Sequence, residues 1–297
     1  MNRAFRKTVK PSVDNLPRFI SEKGKILEKA GIERANGEVE IILCYLLDIG
    51  RLQLYLHGET LIDDDILKRF DEIMEKRLTR YPLQYILEES WFYGRKFFVS
   101  PAVMVPTPET ELLCESALRF IKQKGYSRPR IADLGVGSGV ISVTMAKELP
   151  DCEILAIDVS SDAIEVARKN ADDLGASEKI TFVQSDYFEN ISDDARFDLI
   201  MANPPYISDE EYKSLPPEVL ADPRISLTSG EEGLDAVKTI LKGAPNYLAG
   251  GGRIMFEIGY NQADRVTQLT AEDDRYKSIV ILKDLNDIDR VVILACD

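Results

Sequence analysis

The residues best equipped for chemistry lie in three short stretches. The first is Ile131-Ala-Asp-Leu-Gly-Val-Gly-Ser-Gly139, an apolar run that breaks into a glycine-rich turn. Val140–Glu148 follows and reads as a helix. Glycines let the backbone pass close beneath a ligand, and a helix that starts there offers unpaired N–H groups. The second is Asp158, which closes the next apolar run 19 residues beyond Gly139. A carboxylate so placed can accept both hydroxyls of a ribose. The third is Asn203-Pro-Pro-Tyr206, which ends the run that starts at Phe197.

Two details narrow the ligand. A dinucleotide fingerprint wants glycine at position 140, where Val140 stands, and Asp133 precedes Gly135 by two residues. Beside a pyrophosphate that acid is repelled; beside the ammonium of a methionine moiety it is attracted. The pattern therefore favours S-adenosylmethionine over NAD. Asp133, Gly135, Val136, Gly137, Ser138, Gly139 and Asp158 become the expected cofactor-binding residues, and the arrangement resembles motifs I and II of the class I methyltransferases. Ser185-Asp186-Tyr187-Phe188 follows a further apolar run. Asp186 is placed to accept from an adenine amino group, and Tyr187 or Phe188 to flank the ring.

Asn203 is expected to face the same crevice as Gly135–Gly139, next to the cofactor. An amide or aromatic amino nitrogen is a poor nucleophile because its lone pair is delocalised. The Asn203 side-chain oxygen and the Pro204 carbonyl can each accept one of its N–H groups, and neither Pro204 nor Pro205 adds a competing donor. Two acceptors aim the lone pair along the S–CH₃ axis and stabilise the charge that grows on nitrogen. Tyr206 can pack against a planar amide or base. Asn203, Pro204 and Tyr206 are the expected catalytic residues, with Pro205 added for substrate binding. No metal is required, and the proton can leave after transfer.

These stretches need a frame. Strands are predicted at Arg130–Leu134, Glu153–Asp158, Lys179–Gln184, Phe197–Met201, Gly252–Glu257, Ser278–Lys283 and Arg290–Ala295. Helical patterns between most of the first five imply βαβ units and a mostly parallel sheet. Only Asp284–Asp289 separates the last two, so that pair is antiparallel if adjacent. Earlier, Ile66, Phe70, Ile73, Met74 and Leu78 fall at helical spacing behind Asp63, Asp64 and Asp65. Val39–Leu47 is apolar almost all round and should be buried. Trp91, Phe92, Tyr93, Phe97, Phe98 and Val99 read as a hairpin turning at Gly94.

The fold class expected is α/β. A Rossmann-like class I methyltransferase domain (109–297), its seven-stranded sheet mostly parallel with an antiparallel last strand, follows a small helical domain (1–83) and a β-hairpin linker (84–108).

At 297 residues with 37 basic and 51 acidic side chains, the chain carries a formal charge of −14. That argues against a bare polyanion as partner, since such binding draws on clustered Lys and Arg. Met1–Lys10 carries Arg3, Arg6, Lys7 and Lys10, a basic tip that reads as a frayed end. Cys44, Cys114, Cys152 and Cys296 have no metal-site spacing and read as thiols in a reducing compartment. The single histidine, His57, reads as a surface residue. With no apolar run long enough to span a bilayer and no signal-peptide pattern, the cytoplasm is expected.

Taken together, these motifs resemble the HemK/PrmC family, the peptide-chain release factor glutamine methyltransferases. Pro82-Leu-Gln-Tyr85, Phe98-Val-Ser-Pro101, Pro106-Thr-Pro-Glu-Thr-Glu111, Gly230-Glu-Glu-Gly-Leu-Asp235, and Glu257-Ile-Gly259 with Gln262 add to the match beyond the catalytic core. The resemblance implies methyl transfer from S-adenosylmethionine, leaving S-adenosylhomocysteine. The acceptor it implies is the glutamine of the Gly-Gly-Gln loop in class I release factors, which the helical domain helps grip. A monomer without direct DNA binding is expected. Two positions depart from the family pattern: Thr107 stands where Arg is usual, and Glu88 where glycine is usual. A ribosomal-protein glutamine or a nucleic-acid adenine is the alternative acceptor. A cofactor-binding module without activity is the non-enzymatic alternative.

Overall fold

The computed structural model describes residues 13–296, and the basic tip Met1–Lys10 lies outside them. The chain divides into two compact units between Leu87 and Glu88.

The first unit is helical: α1 (Leu16–Lys29), α2 (Ala35–Leu47), α3 (Arg51–Leu61), α4 (Asp64–Leu78) and the short α5 (Leu83–Leu87). Its local signals are strong. Asn15 caps α1 by accepting from Arg18 N, and Asp63 caps α4 by accepting from Ile66 N, each at 2.9 Å. Acids open α4 and Lys76 and Arg77 close it, matching the helix dipole. Phe70 and Met74 are buried as the spacing predicts. The expectation for Val39–Leu47 needs correction. Val39, Ile42, Leu43 and Leu46 are buried, but Ile41 is 51% and Tyr45 38% exposed. A helix has several sides and its neighbours here cover only some of them, so an all-round apolar pattern overstated the burial. His57 is exposed on α3.

The second unit opens with a hairpin, β1 (Glu89–Phe92) and β2 (Arg95–Phe98), paired antiparallel. Its turn residues Tyr93 and Gly94 both have positive φ, 49° and 70°. A two-residue turn between right-twisted strands needs that geometry. The hairpin is fixed to the body of this unit, where the Asn170 side chain accepts from Phe98 N and donates to Phe98 O.

The body is a seven-stranded sheet with helices on both faces. In chain order it runs α6 (Glu109–Lys124), β3 (Arg130–Leu134), α7 (Val140–Glu148), β4 (Glu153–Asp158), α8 (Ser161–Asp173), β5 (Ile180–Gln184) and β6 (Phe197–Ala202). The single-turn helices α9 (Asp209–Tyr212) and α10 (Pro217–Leu220) come next. Then follow α11 (Asp235–Gly243), β7 (Leu248–Glu257), α12 (Ala263–Ala271), β8 (Tyr276–Lys283) and β9 (Asp289–Cys296). The strand order is β5-β4-β3-β6-β7-β9-β8. Strands β3 to β7 pair in parallel, and β9 is antiparallel to both β7 and β8. The last strand thus inserts between β7 and β8 instead of closing an edge. Apolar residues alternate between the faces of β3: Ile131 joins the core under α6, α7 and α8, while Ala132 and Leu134 join that under α11 and α12. From β3 the chain winds outward through β4 and β5, then returns to β6 on the other side. The crevice opens at this reversal, beyond the carboxyl ends of β3 and β6. Among the described residues no helix is long and apolar enough to cross a membrane.

Candidate active site

At that reversal lies a cavity of about 460 Å³. The turn Gly135–Ser138 borders it after β3, Asp158 after β4, Asp186 and Tyr187 after β5, and Asn203 and Pro205 after β6. Strand-end positions separated by many residues thus converge because parallel strands deliver all their carboxyl ends to one edge.

The turn is shaped by its own carboxylates. Asp158 Oδ2 accepts from Gly137 N at 2.9 Å and its Oδ1 from Ser160 N at 3.0 Å. Burial pushes its carboxyl above the usual range, against these hydrogen bonds. Gly139 is required by conformation and space. Its φ is 84°, and a Cβ there would sit 3.2 Å from the Ala167 Cα and Cβ of α8.

Four of the expected site residues lie behind the cavity wall: Asp133, Gly139, Pro204 and Tyr206 do not border it. Asp133 is fully buried, pointing with Ile131 toward the α7 side of the sheet. Its Oδ2 accepts from Ser142 N at 3.0 Å and from the Ser142 hydroxyl at 2.6 Å. The acid therefore caps the first turn of α7, a placement that the helix dipole favours. Its Oδ1 is buried with no hydrogen-bond partner among the described residues, and burial holds its carboxyl up at about 7. Phe188 stacks on Tyr247 at 4.9 Å in the core, which leaves Tyr187 as the aromatic at the cavity.

Asn203 is oriented by two residues that received no individual role from the sequence. Its Nδ2 donates to Thr110 Oγ1 at 2.9 Å, and Thr110 Oγ1 donates to Glu257 Oε2 at 2.8 Å. This leaves Asn203 Oδ1 buried without a hydrogen-bond partner among the described residues. Burial pushes the Glu257 carboxyl up to about 7, opposed by the Thr110 hydrogen bond and Arg290. Tyr206 is held from outside the cavity. Gln262 Nε2 donates to Tyr206 O at 3.0 Å and to Gly233 O at 2.8 Å, while its Oε1 accepts from Gly259 N at 2.9 Å. One buried amide thus lashes together three loops. Gly233 has φ 70°, and a Cβ there would collide with the Tyr206 carbonyl oxygen. Thr110, Glu257 and Gln262 all fall inside segments quoted above for the family resemblance, which was the signal available for them.

The electrostatics select among ligands. Asp158, Asp186 and Asp235 border the cavity, and among the described residues no Lys, Arg or His does. A pyrophosphate would find no counter-charge there, whereas a sulfonium and an ammonium would be attracted. The carboxylates after β4 and β5 can accept from a ribose and an adenine amino group. The residues present therefore fit S-adenosylmethionine. Among the described residues no group of three or more His, Cys, Asp or Glu is placed to hold a metal ion.

The methyltransferase small domain family matches residues 110–232, and the PrmC N-terminal domain family matches residues 22–87. The chain is 38% identical over 257 residues to the release factor glutamine methyltransferase of Neisseria gonorrhoeae, covering 86% of this chain and 92% of that one. It is 35% identical over 286 residues to the enzyme of the same name from Geobacter sulfurreducens, covering 96% and 98%. Among solved structures, the catalytic domain of hMettl16 in complex with MAT2A 3'UTR hairpin 1 aligns with a TM-score of 0.57 at 16% identity. That alignment covers 75% of this chain and 80% of the other, and it shows a common methyltransferase fold.

Proposed function

The chain belongs to the release factor glutamine methyltransferase family, and from that premise we propose that it methylates the glutamine side chain in the Gly-Gly-Gln motif of class I peptide-chain release factors. The methyl donor in this reading is S-adenosylmethionine, which supplies an electrophilic methyl group when bound. The observation that carries the reading is the Asn203 Oδ1, an unpartnered buried acceptor on a residue bordering the cavity.

An acceptor fixed there suits a primary amide. Asn203 Oδ1 takes one N–H of the glutamine NH₂ and orients the nitrogen for attack, while Pro204, expected to supply the second acceptor, lies behind the cavity wall. As the nitrogen gains positive charge, the Asn203 oxygen binds it more strongly, and that difference lowers the barrier. Gly135, Val136, Gly137 and Ser138 form the floor beneath the methyl donor, Asp158 accepts from its ribose, and Asp186 with Tyr187 holds its adenine. Asp133 acts from behind by fixing the first turn of α7, and Gly139 by packing the turn on α8. Pro205 borders the substrate, and Tyr206 sets the course of the loop through its carbonyl. Among the described residues no basic side chain borders the cavity, which suits a neutral peptide loop better than a nucleic acid. The helical unit serves to grip the release factor. A release factor substrate would put the reaction in the cytoplasm.

The test is transfer of labelled methyl from S-adenosylmethionine to a release factor, its Gln→Ala loop variant and duplex DNA. Label on the wild-type release factor alone is expected. Label on the Gln→Ala variant or on DNA would refute the reading. Label on none of these, with the methyl donor still bound, would move the search to another protein glutamine.

A further inference from the structure

We propose that Glu257 and Thr110 are positioning residues for this transfer: Glu257 takes the one Thr110 hydroxyl proton, so Thr110 can only accept from Asn203, and the Asn203 amide is locked with its oxygen toward the substrate nitrogen. The inference rests on the function proposed above and adds how that site is kept in the correct polarity.

An asparagine amide has two ends of nearly equal shape and opposite hydrogen-bonding sense. Only one of them can catalyse. With Oδ1 inward the site accepts from the substrate NH₂; with Nδ2 inward, a donor faces a donor. Packing cannot distinguish the two orientations, because the atoms differ little in size. The hydrogen-bond chain can. Thr110 Oγ1 carries one proton, donates it to Glu257 Oε2 at 2.8 Å, and so meets Asn203 Nδ2 as an acceptor at 2.9 Å. Thr110 is 2% exposed and Glu257 1%, so water does not substitute for either. The three residues come from separate elements: the first turn of α6, the end of β7 and the loop after β6.

The direction of the chain depends on the charge of Glu257. Arg290 on β9 favours its ionised form, while Glu109 on α6 and burial oppose it. Tyr206, from the loop after β6, also faces it. Arg290 Nε is itself engaged by Asp284 at 3.0 Å. Burial dominates, and the carboxyl titrates at about 7. When Glu257 takes a proton from solvent it becomes a donor to Thr110 Oγ1. The Thr110 proton is then free to point at Asn203 Oδ1, and the chain reverses with the amide flipped.

The experiment is the pH dependence of kcat for the full chain with a release factor and saturating S-adenosylmethionine, for wild type, Glu257→Gln, Thr110→Val and Thr110→Ser. Wild type is expected to lose rate as pH falls through about 7, as the buried acid gains its proton. Glu257→Gln should show no such limb, whatever its plateau. Thr110→Val should lower kcat by about 10- to 100-fold, the scale of a misplaced catalytic group, and also lack the limb. Thr110→Ser, which keeps the hydroxyl, should restore both rate and limb. The affinity for S-adenosylmethionine should be unchanged throughout, which also reports that each variant is folded. An acid limb retained in Glu257→Gln and Thr110→Val would assign it to another group, such as Asp133, and overturn the proposal. So would a Thr110→Ser enzyme as impaired as Thr110→Val. A wild-type chain that labels no release factor would overturn the underlying function instead.

Discussion

Asp158 and Gly137 are joined by a 2.9 Å hydrogen bond from the Gly137 N–H to Asp158 Oδ2. The carboxylate proposed for the ribose therefore also shapes the turn beneath the donor. Each carboxylate oxygen has two lone pairs, so the bond to Gly137 leaves capacity for a hydroxyl. Asp158→Ala should weaken S-adenosylmethionine binding by about 10- to 100-fold, the value of charged hydrogen bonds lost in a partly buried site. Calorimetry tests this, and an unchanged Kd would remove Asp158 from the donor site.

Asn203→Ala should reduce kcat by about 100- to 1,000-fold, as loss of an oriented electrostatic contact does in other enzymes. Its proposed partner is the acceptor amide, so affinity for the methyl donor should hold. A parallel loss of donor affinity in the binding isotherm would show that Asn203 has been given the wrong partner.

Glu88 occupies a glycine conformation. Its φ is 55°, in the left-handed region, and it is exposed while its carbonyl accepts from Val99 N at 3.3 Å. This gives a physical reason for the glycine usual at this position in the family pattern: the backbone must turn there before β1. Glu88→Gly should stabilise the fold by up to about 1 kcal/mol, since relief of left-handed strain exceeds the added chain entropy. The urea midpoint would rise without a change in activity; a lower midpoint would mean that the Glu88 side chain contributes to the fold.

The buried Glu257 also leaves a signature in stability. Its folded pKa of about 7 lies above the ordinary carboxylate value of 4.5. The folded state therefore holds the proton more tightly than the unfolded chain. The stability contributed by this group is full below the unfolded value and is lost as pH rises through about 7. Glu257→Gln removes that loss. Its Tm should exceed that of wild type by a margin that widens between pH 4.5 and 7 and then levels off. At pH 8 the gain should be on the order of 1–3 kcal/mol. A margin independent of pH would show that the Glu257 carboxyl titrates in the fold as it does in the unfolded chain.

Local pattern determined much of this protein. Val140–Glu148, Arg130–Leu134 and Glu153–Asp158 have the bounds that the sequence predicts, because glycine turns and apolar runs mark their ends directly. Gly135–Ser138, Asp158, Asp186, Tyr187, Asn203 and Pro205 reach one cavity because parallel strands carry their carboxyl ends to a common edge, a consequence that the βαβ alternation already contains. Depth and long-range partnership are different. Period two puts Asp133 on a face of β3, but only packing shows it turned into α7 and away from the cavity wall. The brevity of Asp284–Asp289 predicts an antiparallel pair, yet not that β9 would enter between β7 and β8. Thr110 meets Asn203 across 93 residues and Glu257 across 147, and Gln262 reaches Tyr206 across 56. A side chain's type and spacing declare what it can donate or accept. Which partner it meets depends on contacts between distant segments, and these exist only once the sheet has assembled.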